Sequence, residues 1–437
     1  MMWTSLDTWI VVAAALAGAA SALVGAFLVL EKMSMMGDAI SHGVLPGIAV
    51  AFIITGSRHG APLFIGAAIV GILVSVLVHM VRRYGRLESG AAMGVVFTVL
   101  FAIGLILIER ASQHVDIHPD HVLFGAVELV PLTLTAVGPF EVPQGVVVLA
   151  VVLLIDIVVV GVFFKELRLV TFDPGLATTL GINAARMHYL LMTLVALTTV
   201  AVFEVVGSIL VIAMLIVPGA IAHLLTRRLL PFLAVSVAAA VAAAVLGHVA
   251  AITIPPYFGF EDTSTSGSMA TVLGLLFFAA FLLAPEQGLF ARAWSRMRLR
   301  MTIVSQDVLG LLARRMERTD EPESGISLGE FRTIDQSPFS HRRPGLRAAL
   351  ILLLSRGFVR RVAGRYRLTD RGLVEARRVL QVHRLWERFF HDVGRADMAD
   401  LHPAADYLEH YTDPVLQEAL EQQFSGETHD PRGNRIR

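Results

Sequence analysis

Long apolar stretches alternate with short polar ones over the first two-thirds of the chain. Most approach the roughly 20 residues that an α-helix needs to cross a membrane. The candidate spans are residues 8–30, 38–55, 62–81, 91–109, 143–164, 187–203, 205–225, 230–252 and 268–285. No small-residue cleavage site follows a short apolar core, so we expect the first span to be a mature helix rather than a signal peptide. The pattern predicts an all-α polytopic membrane domain with about nine transmembrane helices.

Basic residues in the loops predict the orientation of these helices. Lys and Arg follow every odd-numbered span, and short loops rich in them stay in the cytoplasm. They are Lys32, Arg82, Arg83, Arg86, Lys165, Arg168, Arg227, Arg228, Arg292, Arg296, Arg298 and Arg300. We therefore expect a multi-pass protein of the bacterial cytoplasmic (inner) membrane, surrounded by lipid, with its C-terminus in the cytoplasm. The sixth and seventh spans are short, but merging them would break this alternation.

The last third of the chain has the pattern of a small α+β, winged-helix-like and helical soluble domain. An apolar helix over 346–354 precedes two alternating strands, 358–362 and 366–369, and an amphipathic helix follows over 372–391. We divide the chain into a transmembrane domain (1–290), a cytoplasmic helix and linker (291–325), a winged-helix-like domain (326–371) and a helical domain (372–437).

Composition agrees with this division. The chain is 55% hydrophobic, and its mean hydropathy of +0.68 is too high for an ordinary globular protein. Residues 301–437 hold 41 of the 72 charged side chains. Net charge is zero, so bulk electrostatics indicates no partner. The absence of Cys excludes disulfides, thiolate metal sites and Cys catalysis, so any metal must bind mainly through nitrogen and oxygen.

One acidic residue and one histidine stand at helical spacing in the second span. Asp38 and His42 are four residues apart, so one helix face presents both. A carboxylate and an imidazole together can coordinate Mn²⁺, Zn²⁺ or Fe²⁺. Ionisable groups inside a membrane are costly and usually functional. The alternative is an interfacial helix cap, with Asp38 at the helix start and His42 bonded to a neighbour.

Two loops carry further candidate chemistry. The loop after the fourth span, expected outside, offers metal ligands in a short stretch: His114, Asp116, His118, Asp120 and His121. One interpretation is that this loop collects metal from a partner protein. The alternative is that it is a polar, solvated loop. On the cytoplasmic side, Asp173 and Pro174 have the residue types of an N-cap and a first helical position. No phosphate-binding GxxxxGK[ST] motif occurs, so we expect no bound nucleotide and no enzymatic activity in this chain.

These motifs resemble those of the manganese/zinc/iron ABC-importer permeases. The resemblance rests on Glu31 to Gly47 (EKMSMMGDAISHGVLPG), ESGAAMGVVF from Glu88, DHVLFG from Asp120, FFKELRLVTFDPGLATTLG from Phe163 and GSILVIAMLIVP from Gly207. It implies that Asp38 and His42 line the metal translocation path, and that Asp173, Pro174 and Gly175 begin a helix that couples to a separate ABC ATPase subunit. It also implies a second permease chain, like or unlike, and an extracytoplasmic metal-binding protein.

The C-terminal region carries a second set of potential ligands. His383 and Glu387 are four residues apart on the amphipathic helix, and His402, Asp406, Glu409 and His410 fall largely on one face of a later helix. The set suits Mn²⁺ or Fe²⁺, although Zn²⁺ also accepts nitrogen and oxygen ligands. The alternative is a charged amphipathic helix pair, which helical spacing alone often produces.

This tract resembles the metal-binding and dimerisation domain of diphtheria-toxin-repressor-like and manganese-sensing regulators. The matching motifs are YRLTDRG, VHRLWERFF, LHPAADYLEHYTDPVLQEAL and HDPRGNRI. The resemblance carries the family's ligands onto His383, Glu387, His402, Asp406, Glu409 and His410, and the acid at Asp406 favours manganese. A looser alignment places one further ligand at Asp307 and another at Gly310, which has no side chain to bind metal.

Two functions follow from these resemblances. The first is a permease subunit of an ABC importer for divalent metal, with a cytoplasmic metal-sensing domain that regulates it. The alternative is a membrane-tethered, metal-dependent transcription regulator. Ser340 to Gly345 (SHRRPG) and an apolar helix replace the family's DNA-reading segment. For this reason we do not expect nucleic acid as a partner.

Overall fold

The computed structural model describes residues 3–56, 61–112, 127–137, 139–259, 263–319, 325–333, 345–394, 401–425, 429–431 and 436. The chain forms two compact units, Met1–Ala291 and Arg292–Arg437. The first is helical apart from one hairpin, and the second combines helices with a small sheet. This architecture confirms the predicted fold class.

Every predicted span coincides with helical structure in the membrane unit. The helices of the apolar stretches are α1 (Ser5–Leu30), α2 (Met36–Gly43), α3 (Leu45–Thr55), α4 (Ala61–Gly85), α5 (Ser89–Ser112), α6 (Gln144–Val162), α9 (Ala184–Val206), α10 (Ser208–Leu225), α11 (Leu229–Thr253) and α12 (Thr265–Leu283), and α7 (Phe164–Phe172) and α8 (Pro174–Thr179) lie between α6 and α9. Among the described residues, eight helical stretches are long and apolar enough to cross a membrane, α2 and α3 counting as one. The predicted seventh span is the shorter apolar helix α10.

Two breaks divide apolar stretches of the membrane unit. The first falls inside the predicted second span, and the second lies close to the boundary between the predicted sixth and seventh spans. Val44 separates α2 from α3, and Pro46 follows as one of the first residues of α3. Proline lacks an amide hydrogen, so it fits the start of a helix but not its interior. The second break lies at Gly207, between α9 and α10, where φ is +81°. Glycine tolerates this left-handed conformation because it has no Cβ.

Small residues let the membrane helices approach each other closely. A Cβ at Gly47 of α3 would lie 2.2 Å from the carbonyl oxygen of Gly66 in α4. A Cβ at Gly71 of α4 would lie 3.1 Å from Cβ of Ala196 in α9 and 3.5 Å from Cγ2 of Ile40 in α2. Helix α2 therefore packs against both α4 and α9 at one level of the membrane unit. Such contacts between small residues are typical of helix association in lipid.

The remaining structure of the membrane unit lies between α5 and α6 and after α11. A 3₁₀ helix, Val127–Leu132, leads into an antiparallel hairpin of β1 (Leu134–Val137) and β2 (Phe140–Pro143). A second 3₁₀ turn, Pro255–Phe258, follows α11.

The C-terminal unit consists of helices around a three-stranded antiparallel sheet. Its elements are α13 (Leu289–Thr319, whose first three residues belong to the first unit), β3 (Ile326–Ser327), α14 (Glu330–Thr333), α15 (Leu346–Ser355), β4 (Val359–Val362), β5 (Arg365–Leu368), α16 (Asp370–Asp392), α17 (Leu401–Leu408), the 3₁₀ turn Glu409–Tyr411 and α18 (Pro414–Gln423). The strand order is β3-β5-β4, so the predicted two-stranded wing gains a short third strand.

Two apolar clusters hold this unit together. Val308, Leu312 and Phe331 belong to the one that joins α13 to the sheet and to α15. Trp386 belongs to the other, which joins α16 to α17 and α18. The two clusters hold α13, α16 and α17 in place. These helices carry acidic and histidine side chains of the C-terminal candidate metal site.

Candidate functional site

Asp38 and His42 face each other on the short helix α2. Asp38 lies in the first turn and His42 in the last, and Oδ1 of the aspartate is 3.3 Å from Nε2 of the histidine. Both side chains remain partly accessible, at 34% and 24% exposed. The His42 ring also contacts the rings of Phe97 and Phe101 from α5, with centroids 5.8 and 5.7 Å away.

This pair has the geometry of two ligands of one metal ion. Zn²⁺ binds nitrogen and oxygen at roughly 2.0–2.2 Å, so two ligands at the tetrahedral angle lie about 3.4 Å apart. The separation between Asp38 and His42 matches that value. The partial exposure leaves room for further ligands. The alternative of a capping role for Asp38 gains no support, because the cap position is Met35 and no side chain bonds there.

The segment after α7 has the local structure that its residue types predict. Asp173 is the N-cap of α8 and accepts a hydrogen bond from the amide of Leu176 over 2.9 Å. Pro174 is the first helical residue, and Gly175 follows it. Phe172 and Leu180, which flank this short helix, are 61% and 64% exposed. An exposed apolar edge on a short helix suits insertion into a cleft of another protein.

The outer-loop candidates lie outside the described residues. His114, Asp116, His118, Asp120 and His121 all fall between residues 112 and 127. Their role as collectors of metal stays a prediction.

His383 of α16 is the centre of the first ligand cluster in the C-terminal unit. Its Nδ1 is 2.6 Å from Oε2 of Glu409 and 3.4 Å from Oδ1 of Asp406, and its Nε2 is 3.2 Å from Oε1 of Glu387. The imidazole is buried, and burial alone would lower its pKa, but the hydrogen bonds to Glu387 and Glu409 raise the pKa above its ordinary value.

His410 is the centre of a second cluster beside the first. Its Nε2 lies 3.1 Å from Oδ1 of Asp307 and 3.7 Å from Oε1 of Glu409, and its Nδ1 lies 2.8 Å from Oε1 of Gln306. Asp307 and Gln306 belong to α13, so this cluster ties the first helix of the unit to the segment after α17. Glu409 contributes one oxygen to each cluster.

These side chains fit a divalent metal. His383, Asp406 and Glu409 form one group and Asp307, Glu409 and His410 another, and the ligand atoms in each lie within 4.8 Å of one another. Imidazole and carboxylate ligands suit Mn²⁺, Fe²⁺ and Zn²⁺. Buried carboxylates this close to one another repel unless a cation or a proton stands between them.

The structure places most of the predicted ligands together. Five of the six C-terminal candidates meet, and His402 lies at the second position of α17 with its side chain outside the described part of the chain. Asp307, which only a looser alignment proposed as a ligand, lies in the second cluster. Two further residues were not predicted: Gln306, and Arg314, whose guanidinium donates to Asp406 over 3.5 Å. Their only sequence signal is polarity on the buried side of α13.

Comparison with known proteins confirms both resemblances drawn from the motifs. The model of the family described as ABC 3 transport family matches residues 5–284. The model described as iron dependent repressor, metal binding and dimerisation domain matches residues 369–437. The two matches do not overlap and are separated by residues 285–368, so the chain is a fusion of these two kinds of domain.

Individual relatives agree with the first match. The manganese transport system membrane protein MntD of Bacillus subtilis (strain 168) is 43% identical over 289 residues, which are 66% of this chain and 95% of that protein. The zinc transport system membrane protein TroD of Treponema pallidum (strain Nichols) is 34% identical over 375 residues, 85% of this chain and 98% of that protein. A solved structure of PsaBC from Streptococcus pneumoniae in complex with Fab aligns with a TM-score of 0.54 at 31% identity, over 65% of this chain and 94% of that one.

Proposed function

The chain belongs to the ABC 3 transport family, and on this premise we propose that it is the permease subunit of an ABC importer for a divalent metal ion. The observation that carries the proposal is the Asp38–His42 pair, whose facing atoms are 3.3 Å apart on a helix that packs between α4 and α9. The names of the relatives, manganese and zinc transport proteins, support Mn²⁺ or Zn²⁺ as cargo, with Fe²⁺ as a further candidate.

The test is metal uptake into proteoliposomes that contain this chain with its ATPase, a second permease chain and an extracytoplasmic binding protein. We expect Asp38→Asn and His42→Gln each to lower Mn²⁺ uptake at least about tenfold, because each removes one ligand from the path. His223→Gln is the matched control, since His223 is exposed at the end of α10. Wild-type uptake in both path variants would refute the assignment.

Energy for transport comes from a separate ATPase in this proposal. The exposed edge of α8, with Asp173, Pro174 and Gly175 at its start, is the surface on which that ATPase acts. A double substitution of Phe172 and Leu180 to Ser would remove the apolar contact. We expect it to uncouple ATP hydrolysis from uptake while leaving metal binding by the permease intact. Unchanged coupling would show that the ATPase docks elsewhere.

The C-terminal unit is a metal sensor that restrains uptake when cytoplasmic metal is plentiful. His383, Asp406 and Glu409 would hold one ion, and Asp307, Glu409 and His410 another. The bound metal would neutralise the buried carboxylates and draw α13, α16 and the segment after α17 together. Basic loops after the odd-numbered spans support a cytoplasmic position for this unit. The division of this unit into a helix and linker (291–325), a degenerate winged-helix-like domain (326–371) and a helical metal-binding or dimerisation domain (372–437) is part of the same proposal.

Uptake in the presence of internal Mn²⁺ tests this sensor. A His383→Gln/His410→Gln chain should escape inhibition by Mn²⁺ loaded inside the vesicles, because each cluster loses its only described imidazole. His391→Gln, on an exposed position of α16, is the control. Equal inhibition of the double variant and the wild type would exclude a regulatory role for these clusters.

A further inference from the structure

The first half of α13 (residues 289–300) carries an apolar stripe that is exposed. Phe290, Trp294 and Met297 stand at positions i, i+4 and i+7, so they share one face of the helix. Their side chains are 61%, 73% and 59% exposed. Large apolar side chains that line up along one helix face are normally turned towards an apolar surface. We therefore searched the surroundings of this stripe for what would cover it.

The same helix face is buried in the second half of α13. Val304, Val308 and Leu312 continue the stripe at the same helical spacing. They are buried in the apolar cluster that joins α13 to the sheet and to α15. One continuous face of the helix thus passes from exposed to buried along its length. The core of the C-terminal unit covers only the second half, so the first half is available to another partner.

The charge around the exposed stripe is entirely positive. Arg292, Arg296, Arg298 and Arg300 are exposed on this half of α13, and no Asp or Glu occurs from residue 287 to residue 306. The helical rotation per residue places Arg298 and Arg300 beside the stripe and Arg292 and Arg296 on the opposite side. An apolar face with basic residues beside and behind it is typical of a helix that lies in a membrane interface. The complementary surface is apolar and negatively charged.

A tight turn holds the start of α13 at the end of the last membrane helix. The amide of Gly288 donates to the carbonyl of Ala284, the C-cap of α12, over 3.0 Å. A Cβ at Gly288 would lie 2.4 Å from that oxygen, so glycine is needed for this turn. Within the turn, Glu286 pairs with Arg227, in the basic loop between α10 and α11, over 3.0 Å. Basic loops favour the cytoplasmic side, where anionic lipids give the membrane a negative surface potential.

We propose that the first half of α13 binds the cytoplasmic surface of the membrane, with Phe290, Trp294 and Met297 among the lipid chains and the four arginines on the phosphates of anionic headgroups. An acidic protein would match the charge as well. The bilayer, however, already adjoins this segment through the turn after α12, and tryptophan favours the membrane interface. The inference concerns how the chain is held against lipid, and it does not depend on which ion is transported.

The experiment places a nitroxide spin label on the full-length chain in nanodiscs of phosphatidylcholine and phosphatidylglycerol in equal parts. The chain has no Cys, so Met297→Cys carries the label at one position only. Electron paramagnetic resonance then compares collisions with oxygen, which concentrates in lipid, and with a nickel chelate, which stays in water. We expect the label at 297 to favour oxygen. Ser295→Cys, also exposed but away from the stripe, is the matched control and should favour the nickel chelate.

A second comparison tests the role of charge. Each arginine near an anionic surface strengthens binding about fivefold. Replacing all four arginines of this half by Gln, or using nanodiscs of phosphatidylcholine alone, should therefore shift the label at 297 towards the nickel chelate. An unchanged preference for oxygen in both cases would overturn the assignment to anionic lipid.

Two other outcomes would also overturn the proposal. Nickel collisions as frequent at 297 as at 295 would show that the stripe lies in water. Few collisions with either reagent at 297 would show that protein covers the stripe, such as a second copy of this chain. Phe290→Cys gives an independent measurement, because a label there lies on the same stripe and should give the same preference as at 297. Both replaced side chains are exposed, so neither substitution removes a core contact.

Discussion

Glu409 is the residue whose substitution tests the C-terminal site most directly. It contributes Oε2 to the cluster around His383, at 2.6 Å, and Oε1 to the cluster around His410, at 3.7 Å. Among the described residues it is the one member of both groups. Glu409→Gln preserves size and one oxygen but removes the negative charge. The substitution should weaken both metal positions at once.

The magnitude can be worked from these contacts. Without metal, the variant loses a buried, charge-assisted hydrogen bond to His383, which costs about 1.5–3 kcal/mol of unfolding free energy. At Mn²⁺ concentrations of about 100 times the wild-type Kd, binding stabilises the wild type by about 2.7 kcal/mol. If the variant binds about 100-fold more weakly, the same concentration adds only about 0.4 kcal/mol. The metal-dependent gain should therefore differ by about 2.3 kcal/mol.

Denaturant unfolding of the full-length chain in nanodiscs, with and without Mn²⁺, measures this difference. Trp386 reports on the C-terminal unit, because it lies in α16 beside Glu387 and its indole donates to Thr412. Glu418→Gln on α18 is the matched control, since it makes the same charge change at an exposed position.

A variant that gains as much stability from Mn²⁺ as the wild type would refute the reasoning. The carboxylates and imidazoles would then be a network of buried ion pairs without a resident metal. A stability loss of the same size with and without Mn²⁺ would point the same way. It would assign Glu409 to packing and hydrogen bonding alone.

Three further substitutions test other parts of the structure. Gly47→Ala should lower the thermal stability of the membrane unit by about 1–3 kcal/mol, because its Cβ would meet the carbonyl oxygen of Gly66 at 2.2 Å. Gly310→Ala should stabilise α13 by about 0.5–1 kcal/mol in denaturant unfolding, since its Cβ meets no atom within 4 Å. The Ser327 backbone amide holds the pKa of the Glu330 carboxyl below its ordinary 4.5, so the stability that this group contributes at neutral pH is lost as the pH falls through the lowered value. The stability difference between wild type and Glu330→Gln should accordingly vanish in acid unfolding curves.

Much of the fold follows from hydropathy, because a membrane helix must be apolar along its length. The break at Gly207 shows where such reasoning is weakest. Alternation of basic loops requires two spans there, and the predicted spans leave the break at Glu204. The structure has it three residues later, at Gly207, where the positive φ of this glycine makes the division. The strand Ile326–Ser327 is two residues long and pairs with β5, so it has too little periodicity to be predicted.

The candidate sites likewise differ in how much of each could be predicted from the sequence. Asp38 with His42, and His383 with Glu387, are pairs at i, i+4, which local sequence reveals. Gln306 and His410 are 104 residues apart, and only the packing of α13 against the segment after α17 brings their side chains to 2.8 Å. Contacts of this kind carry no signature in a single sequence.

The break between α2 and α3 has a consequence for how an ion sheds its water. In an unbroken helix the carbonyl of His42 would accept from the amide of residue 46, but Pro46 has no amide hydrogen to donate. The amide of Gly47 donates instead to the carbonyl of Val44, over 2.9 Å. The carbonyl of His42 thereby lacks the donor that it would have in an unbroken helix. In the transport path proposed above, such an oxygen would replace a water of the hydration shell, so the ion would lose its water in steps.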